Sequence, residues 1–171
     1  MKKIILAFLV VLALPLSAKS GDKIVFSAQD LNGNAVSETL FSKNKLTMIN
    51  MWGTFCNPCI REMPDLAALA ANNKSRGFEI AGIVIDATDR AGKIIARQKK
   101  NADTIVAKTG ANYVHILPSM AMWTTILKDV QAVPTTIFVD KNGTQVGDEY
   151  IGSRSLSDWQ KIVDELLAAV E

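Results

Sequence analysis

Trp52-Gly53-Thr54-Phe55-Cys56-Asn57-Pro58-Cys59 is the stretch on which the reading of this chain turns. It grows out of the apolar run Leu46 to Trp52 (LTMINMW), which has the composition of a buried strand. Beyond Cys59 a helical pattern runs through Leu69 to about Asn72. The two cysteines are therefore placed where a strand hands over to a helix. Three residues apart on a helix, two side chains share a face with about 5–6 Å between their Cβ atoms, and a disulfide can close from there with modest adjustment. Cys56, near the N-cap, would face unpaired backbone N–H groups and the positive end of the helix dipole. Both favour a thiolate, so Cys56 is the expected attacking sulfur. Cys59, one turn in, is expected to be more buried and to act second. Pro58 suits the first turn, where its missing N–H has no intrahelical partner to lose.

Other uses of the pair stay open at this point. Half a zinc site would need two more donors, and beyond the carboxylates only His115 is available. Covalent haem attachment needs a histidine after the second cysteine, where the chain has Ile60. A purely structural disulfide this tight would close almost no loop and add little stabilisation. Cys56 and Cys59 are the only cysteines, too few for a disulfide-stapled secreted scaffold, so the pair reads as chemical.

Outward from this centre, Ile24 to Gln29 and Ala35 to Leu40 flank an Asn-Gly turn and suggest an N-terminal hairpin. Glu79 to Asp86 (EIAGIVID) reads as a central strand covered on both faces. A helix is expected over Lys93 to Lys108, ending at Gly110, then a short strand Tyr113 to Leu117 and a helix Met120 to Lys128. Thr135 to Val139 and Thr144 to Ile151 form a second hairpin around Asp140-Lys141-Asn142-Gly143. In the last helix Trp159, Ile162, Val163, Leu166, Leu167 and Val170 make one apolar stripe, with Ser157 and Gln160 as a capping box. These elements describe an α/β (α+β sandwich) domain with a mixed sheet.

The chain has 171 residues, room for one domain, and its 49% apolar content excludes general disorder. Met1-Lys2-Lys3, the 13-residue apolar run Ile4 to Leu16 and Ser17-Ala18 have the layout of a signal peptide over residues 1–18. The run falls short of the ~18 residues that suggest a membrane span. An uncleaved N-terminal anchor is the alternative, and either way the domain is expected to be exported. Removal of residues 1–18 would leave 17 basic and 17 acidic side chains, which gives a nucleic-acid partner no electrostatic support.

Trp52 through Cys59, followed by Arg61-Glu62-Met63-Pro64, resembles the thioredoxin superfamily, within it the exported TlpA/ResA-like branch. Val133-Pro134-Thr135-Thr136-Ile137-Phe138-Val139-Asp140-Lys141-Asn142-Gly143 is similar to that fold's cis-proline loop, strand and hairpin. The likeness extends over roughly residues 22 to 170, within an expected domain at 22–171. It implies a thioredoxin-like fold, a central mixed sheet flanked by helices, with the N-terminal hairpin as an extension. It also implies a thiol–disulfide oxidoreductase that needs no dissociable cofactor. Cys56 and Cys59 would be the redox pair, and Pro134 the cis-proline beside it. Val133 would pair with an extended substrate through its backbone, with Trp52 also on the substrate side. From residues alone Pro134 could be an ordinary strand-start proline.

Where cytoplasmic thioredoxins place a buried aspartate, six residues before the first cysteine, this chain has Asn50. Glu62 matches the glutamate of ResA-like proteins, three residues after the second cysteine, and could accept the proton of Cys59. A solvated surface glutamate beside Arg61 is the plain alternative. Pro64 implies a kinked helix. The segment Asp89 to Gly110 is longer than a minimal crossover and either frames a partner surface or has no role. His115 reads as structural or on the surface, and Met120, Met122 and Trp123 as core or groove packing.

The branch implies a monomeric reductase of extracytoplasmic disulfides, such as those of apocytochrome c or oxidised secreted proteins, fed by a membrane electron donor of the CcdA/DsbD kind. A DsbA-like oxidase is the alternative in direction. A copper-handling chaperone using the same thiols with Met120 or His115, and a non-catalytic docking domain, are alternatives in kind.

Overall fold

The computed structural model describes residues 23–170, so the expected signal segment lies outside the described residues. Seven strands make one mixed sheet: β1 (Ser27–Asp30), β2 (Ala35–Ser37), β3 (Leu46–Trp52), β4 (Phe78–Val84), β5 (Val114–Leu117), β6 (Thr135–Asp140) and β7 (Gln145–Ile151). Their order is β2-β1-β5-β4-β3-β6-β7. β3 and β4 pair in parallel, as do β4 and β5, while β6 and β7 add antiparallel on one side and β1 with β2 on the other. Among the described residues four α-helices complete the fold: α1 (Asn57–Asn73), α2 (Ala96–Thr109), α3 (Met120–Thr124) and α4 (Leu156–Ala169). Among the described residues no helix is long and apolar enough to cross a membrane.

All seven residues of β3 are buried. Covered on both faces, a strand needs apolar side chains at successive positions and not only at alternate ones. Met48 packs with Leu66, Leu69, Trp159 and Val163 from α1 and α4. Its neighbour Ile49 points the other way, into a cluster with Phe26, Phe41, Met122 and Leu127. The period of two along the strand thus feeds two cores and holds the Trp52 end of β3 rigid beneath the start of α1.

Several elements differ from the sequence expectation, each for a local reason. The second arm of the N-terminal hairpin stops at Ser37, whose side chain caps Thr39 and opens a 3-10 turn over Glu38–Lys43. That turn delivers Phe41 into the core against Phe26, with ring centroids 5.9 Å apart. α2 begins at Ala96 and not at Lys93, because Asp89 Oδ1 accepts the N–H groups of Ala91 and Lys93 and fixes a loop. Its end at Gly110 is as expected, with φ +68°. α3 stops after Thr124, where the hydroxyls of Thr124 and Thr125 both donate to the Ala121 carbonyl.

The cap of α4 is Ser155, not Ser157. Ser155 Oγ accepts the Asp158 N–H at 3.3 Å and donates to the Asp158 carboxylate at 2.7 Å. The helix is drawn back to this point because the Leu156 N–H donates to Asp65 on α1 at 3.1 Å. α1 itself runs unbroken through Pro64.

Candidate active site

Cys56 is the N-cap residue of α1, and its Sγ accepts the Cys59 backbone N–H at 3.2 Å. No acidic residue occupies the first turn, so nothing there offsets the positive end of the helix. The two cysteines form a disulfide with Cα atoms 5.3 Å apart. Cys59 is completely enclosed, whereas Cys56 keeps a small exposed edge. Across from it the Val133–Pro134 peptide bond is cis, and Cys56 Sγ lies 3.5 Å from the Val133 carbonyl oxygen. Pro134 is buried at the mouth of β6, and its carbonyl accepts the Gly152 N–H at 2.8 Å.

The loop before Cys56 is clamped by a residue that the sequence reading passed over. Asp86 accepts the Thr54 N–H at 2.9 Å and the Thr54 hydroxyl at 2.5 Å, and also a hydrogen bond from Gln98 on α2 at 3.0 Å. Its signal was available: a carboxylate just past the C-terminal end of a central strand, the rim where α/β sheets keep their sites. Phe55 stands exposed beside the disulfide, its ring filling the space a Cβ at Gly53 would occupy.

Trp52 is placed otherwise than a substrate-facing residue would be. It is fully buried, and its indole N–H donates to His115 Nδ1 at 3.2 Å. The tight end of β3 turns the ring inward under the loop, so Phe55 holds the outer position. His115 Nε2 in turn bonds the Ala111 carbonyl at 2.9 Å. Both ring nitrogens are thereby engaged, with the proton on Nε2, and burial pushes the imidazole pKa down to about 4. Gly82 leaves the space this pair needs, since a Cβ there would sit 2.5 Å from His115 Nδ1. His115 is a structural histidine.

Glu62 is buried one turn beyond Cys59. Its carboxylate accepts from Asn50 Nδ2 at 3.3 Å, the Arg154 backbone N–H at 3.1 Å and the Trp159 indole at 3.4 Å. Asn50 also donates to Thr136 at 3.1 Å. Desolvation outweighs these donors and holds the Glu62 pKa above the usual carboxylate value. The hydroxyl of Tyr113 lies buried nearby without a partner among the described residues, and burial followed by the Glu62 charge raises its pKa. Arg154 and Trp159 were not foreseen as neighbours of Glu62. Nothing in their local sequence marks them, because they arrive from the far end of the chain. The surface alternative for Glu62 is overturned by its burial.

Met122 is in the core, as expected, but Met120 is exposed rather than packed. A one-turn helix directs only one of two residues spaced by two inward. Among the described residues no group of three or more His, Cys, Asp or Glu side chains gathers where a metal could be held.

The sequence profile of the AhpC/TSA family matches residues 21–146. The thiol-disulfide oxidoreductase ResA of Bacillus thuringiensis is 29% identical over 130 residues, which cover 76% of this chain and 68% of that protein. ResA of Bacillus subtilis is 26% identical, over 75% of this chain and 65% of its own length. In fold, a thiol:disulfide interchange protein of the thioredoxin family from Chlorobium tepidum superposes with a TM-score of 0.72 at 24% identity, over 88% of this chain and 99% of that one.

Proposed function

We propose, from the premise that this chain belongs to the AhpC/TSA family and is a thioredoxin-like thiol–disulfide oxidoreductase with a disulfide-forming Cys56–Cys59 pair, that it is exported and reduces disulfides in extracytoplasmic proteins. Apocytochrome c and oxidised secreted proteins are the substrate class, and the chain acts as a monomer. The observation that carries this reading is the asymmetry of the two sulfurs. Cys56 Sγ receives a backbone N–H at a helix start free of acidic side chains, whereas Cys59 is enclosed on the same helix as buried Glu62.

In the reduced protein the Cys59 N–H and the helix N-terminus stabilise a Cys56 thiolate. That thiolate attacks one sulfur of the substrate disulfide; an S–S bond to Cys56 forms, and the other substrate sulfur leaves and takes a proton. The Cys59 thiol then loses its proton to Glu62, whose pKa, raised by burial, makes it a better proton acceptor than a solvated carboxylate. The Cys59 thiolate attacks Cys56 Sγ, closing the internal disulfide and releasing the second substrate thiolate, which is then protonated. The substrate has gained two electrons from the Cys56–Cys59 pair and two protons, one matched by the proton Cys59 gave to Glu62 and the other drawn from solvent. A membrane dithiol donor of the CcdA/DsbD kind restores the pair by the reverse exchange.

Val133 and Pro134 hold the extended substrate against Cys56, the backbone next to the cis bond supplying strand-like pairing. Trp52, buried, supports the loop from below and does not touch substrate in this role.

The equilibrium potential of the pair, read by thiol alkylation across a dithiothreitol series, tests the direction. A value near that of thioredoxin, about −270 mV, supports the reductase; one near that of DsbA, about −120 mV, reverses the direction. Cys59→Ser should accumulate a mixed disulfide through Cys56, and a variant that never does so would overturn the exchange mechanism.

A further inference from the structure

Positive charge is distributed unevenly over this chain. Residues 86–100 carry Arg90, Lys93, Arg97, Lys99 and Lys100 against Asp86 and Asp89, whereas over the remaining described residues acidic side chains outnumber basic ones by 13 to 11. Lys99 is paired with Asp103 at 3.0 Å, but Arg90, Lys93, Arg97 and Lys100 are exposed. The two acids of the segment are turned to local work, Asp86 on Thr54 and Gln98 and Asp89 on its own loop.

Exposed apolar side chains gather in the same place. Of six large hydrophobic residues left exposed among the described residues, four are Phe55, Ile94, Ile95 and Met120. Backbone contacts connect the segments that carry them. The Ile95 N–H donates to Ala87 at 2.8 Å, Ile94 pairs with Thr88, and Asp86 beside them holds the loop that carries Phe55 and Cys56. On the other side Gly92, at φ +80°, lies so close to Met120 that a Cβ would be 2.9 Å from its backbone nitrogen. An open groove of about 700 Å³ runs past Lys93, Ile94 and Ser119, and the Ser119 hydroxyl is buried without a partner among the described residues.

We propose that this basic, apolar-studded ledge beside Cys56 docks an extended acidic segment of the protein whose disulfide is exchanged. Apolar side chains of that segment sit among Phe55, Ile94, Ile95 and Met120, and its carboxylates meet Arg90, Lys93, Arg97 and Lys100. Pairing of this face with the same face of a second copy is disfavoured, because it would bring like charges together. The proposal rests on the exchange reading for its consequence, namely which disulfides reach Cys56, but docking itself can be measured without chemistry.

The test compares two disulfide peptides on the full chain, one flanked by glutamate and leucine and one by lysine and leucine, with hydroxyethyl disulfide as a small neutral control. The acidic peptide should be exchanged with kcat/KM about 10-fold higher at low salt, and the preference should shrink to below about 2-fold near 0.5 M salt. The Arg90→Glu/Lys93→Glu/Arg97→Glu/Lys100→Glu chain should lose or invert that preference while turning over hydroxyethyl disulfide unchanged. Equal rates for both peptides, or a preference that survives the charge reversal, would overturn the proposal. If hydroxyethyl disulfide is not turned over at all, the exchange reading fails. Docking is then read from fluorescence anisotropy of the acidic peptide, its cysteines replaced by serine, on the Cys56→Ser/Cys59→Ser chain. Binding abolished by the charge reversal upholds the ledge, and no binding refutes it. Self-association through this face, lost on charge reversal, would give the surface to a second copy and refute it too.

Discussion

Two buried ionisable side chains, Glu62 and His115, share one fold and respond to it in opposite ways. Glu62 sits among Asn50, Trp159 and the Arg154 backbone, and His115 between Trp52 and Ala111. In each case desolvation is the largest influence, and in each it favours the uncharged form. For the acid that raises the pKa and readies a group that can take up a proton. For the imidazole it lowers the pKa and yields a fixed neutral strut. One burial physics thus supplies a proton acceptor at one position and a structural prop at the other. What separates them is the partner set: Asn50, Arg154 and Trp159 all donate to Glu62, whereas His115 has one donor and one acceptor and is satisfied as neutral imidazole.

The largest effect that would sharpen this contrast is acid lability. Between an unfolded value of 6.5 and a folded value of about 4, the unfolded chain binds a proton at His115 that the folded chain does not. Stability from this group is complete above pH 6.5 and is lost as pH falls towards 4, by roughly 3 kcal/mol at the bottom of that window. Urea denaturation at pH 7 and pH 4 should show the loss, and His115→Gln should flatten it. An equal loss in the variant would assign the lability elsewhere. Glu62 acts in the opposite sense: its folded pKa lies above 4.5, so its burial costs stability at neutral pH and that cost fades as pH falls through the folded value.

Glu62→Gln should therefore be at least as stable as the wild type at pH 7, and that margin should disappear near pH 4. The same change should slow resolution of the mixed disulfide by about 100-fold, the scale of a lost general base. Stopped-flow mixing with a peptide disulfide would read it, and an unchanged rate would remove Glu62 from the chemistry. Next in size is Gly82→Ala, which drives a Cβ to 2.5 Å from His115 Nδ1 and 3.0 Å from Trp52 Nε1. Overpacking of this kind costs about 2 kcal/mol, and the altered Trp52 environment should appear in its fluorescence. The smallest effect tests the tether of the Glu62 side. Ser155→Ala removes the α4 cap next to Arg154 and should cost about 1 kcal/mol in denaturant melts, with little change in the His115 region.

Much of this could be read before folding. The buried run LTMINMW matched β3 residue for residue because a strand covered on both faces leaves no choice but apolar side chains. Asn-Gly and Gly110 marked their turn and helix end because only residues tolerant of positive φ fit there. The capping box of α4 was misplaced by two residues, since Ser155 and Ser157 are equivalent until Asp65 reaches across from α1 to take the Leu156 N–H. The extent of α3 was overread because its apolar spacing continues past two threonines whose hydroxyls end it.

The sequence by itself determined the fold class, the strand-to-helix seat of Cys56 and Cys59 and the one-turn spacing from Cys59 to Glu62, all consequences of local periodicity and short separations. Only the tertiary structure decided that Glu62 is buried, that Asn50, Trp159 and Arg154 surround it, that Trp52 turns inward to His115 and that Asp86 clamps Thr54. Those pairs are 12 to 97 residues apart in the chain. Whether a carboxylate is solvated or enclosed depends on which distant elements close over it, and a pattern confined to its own helix carries no record of them.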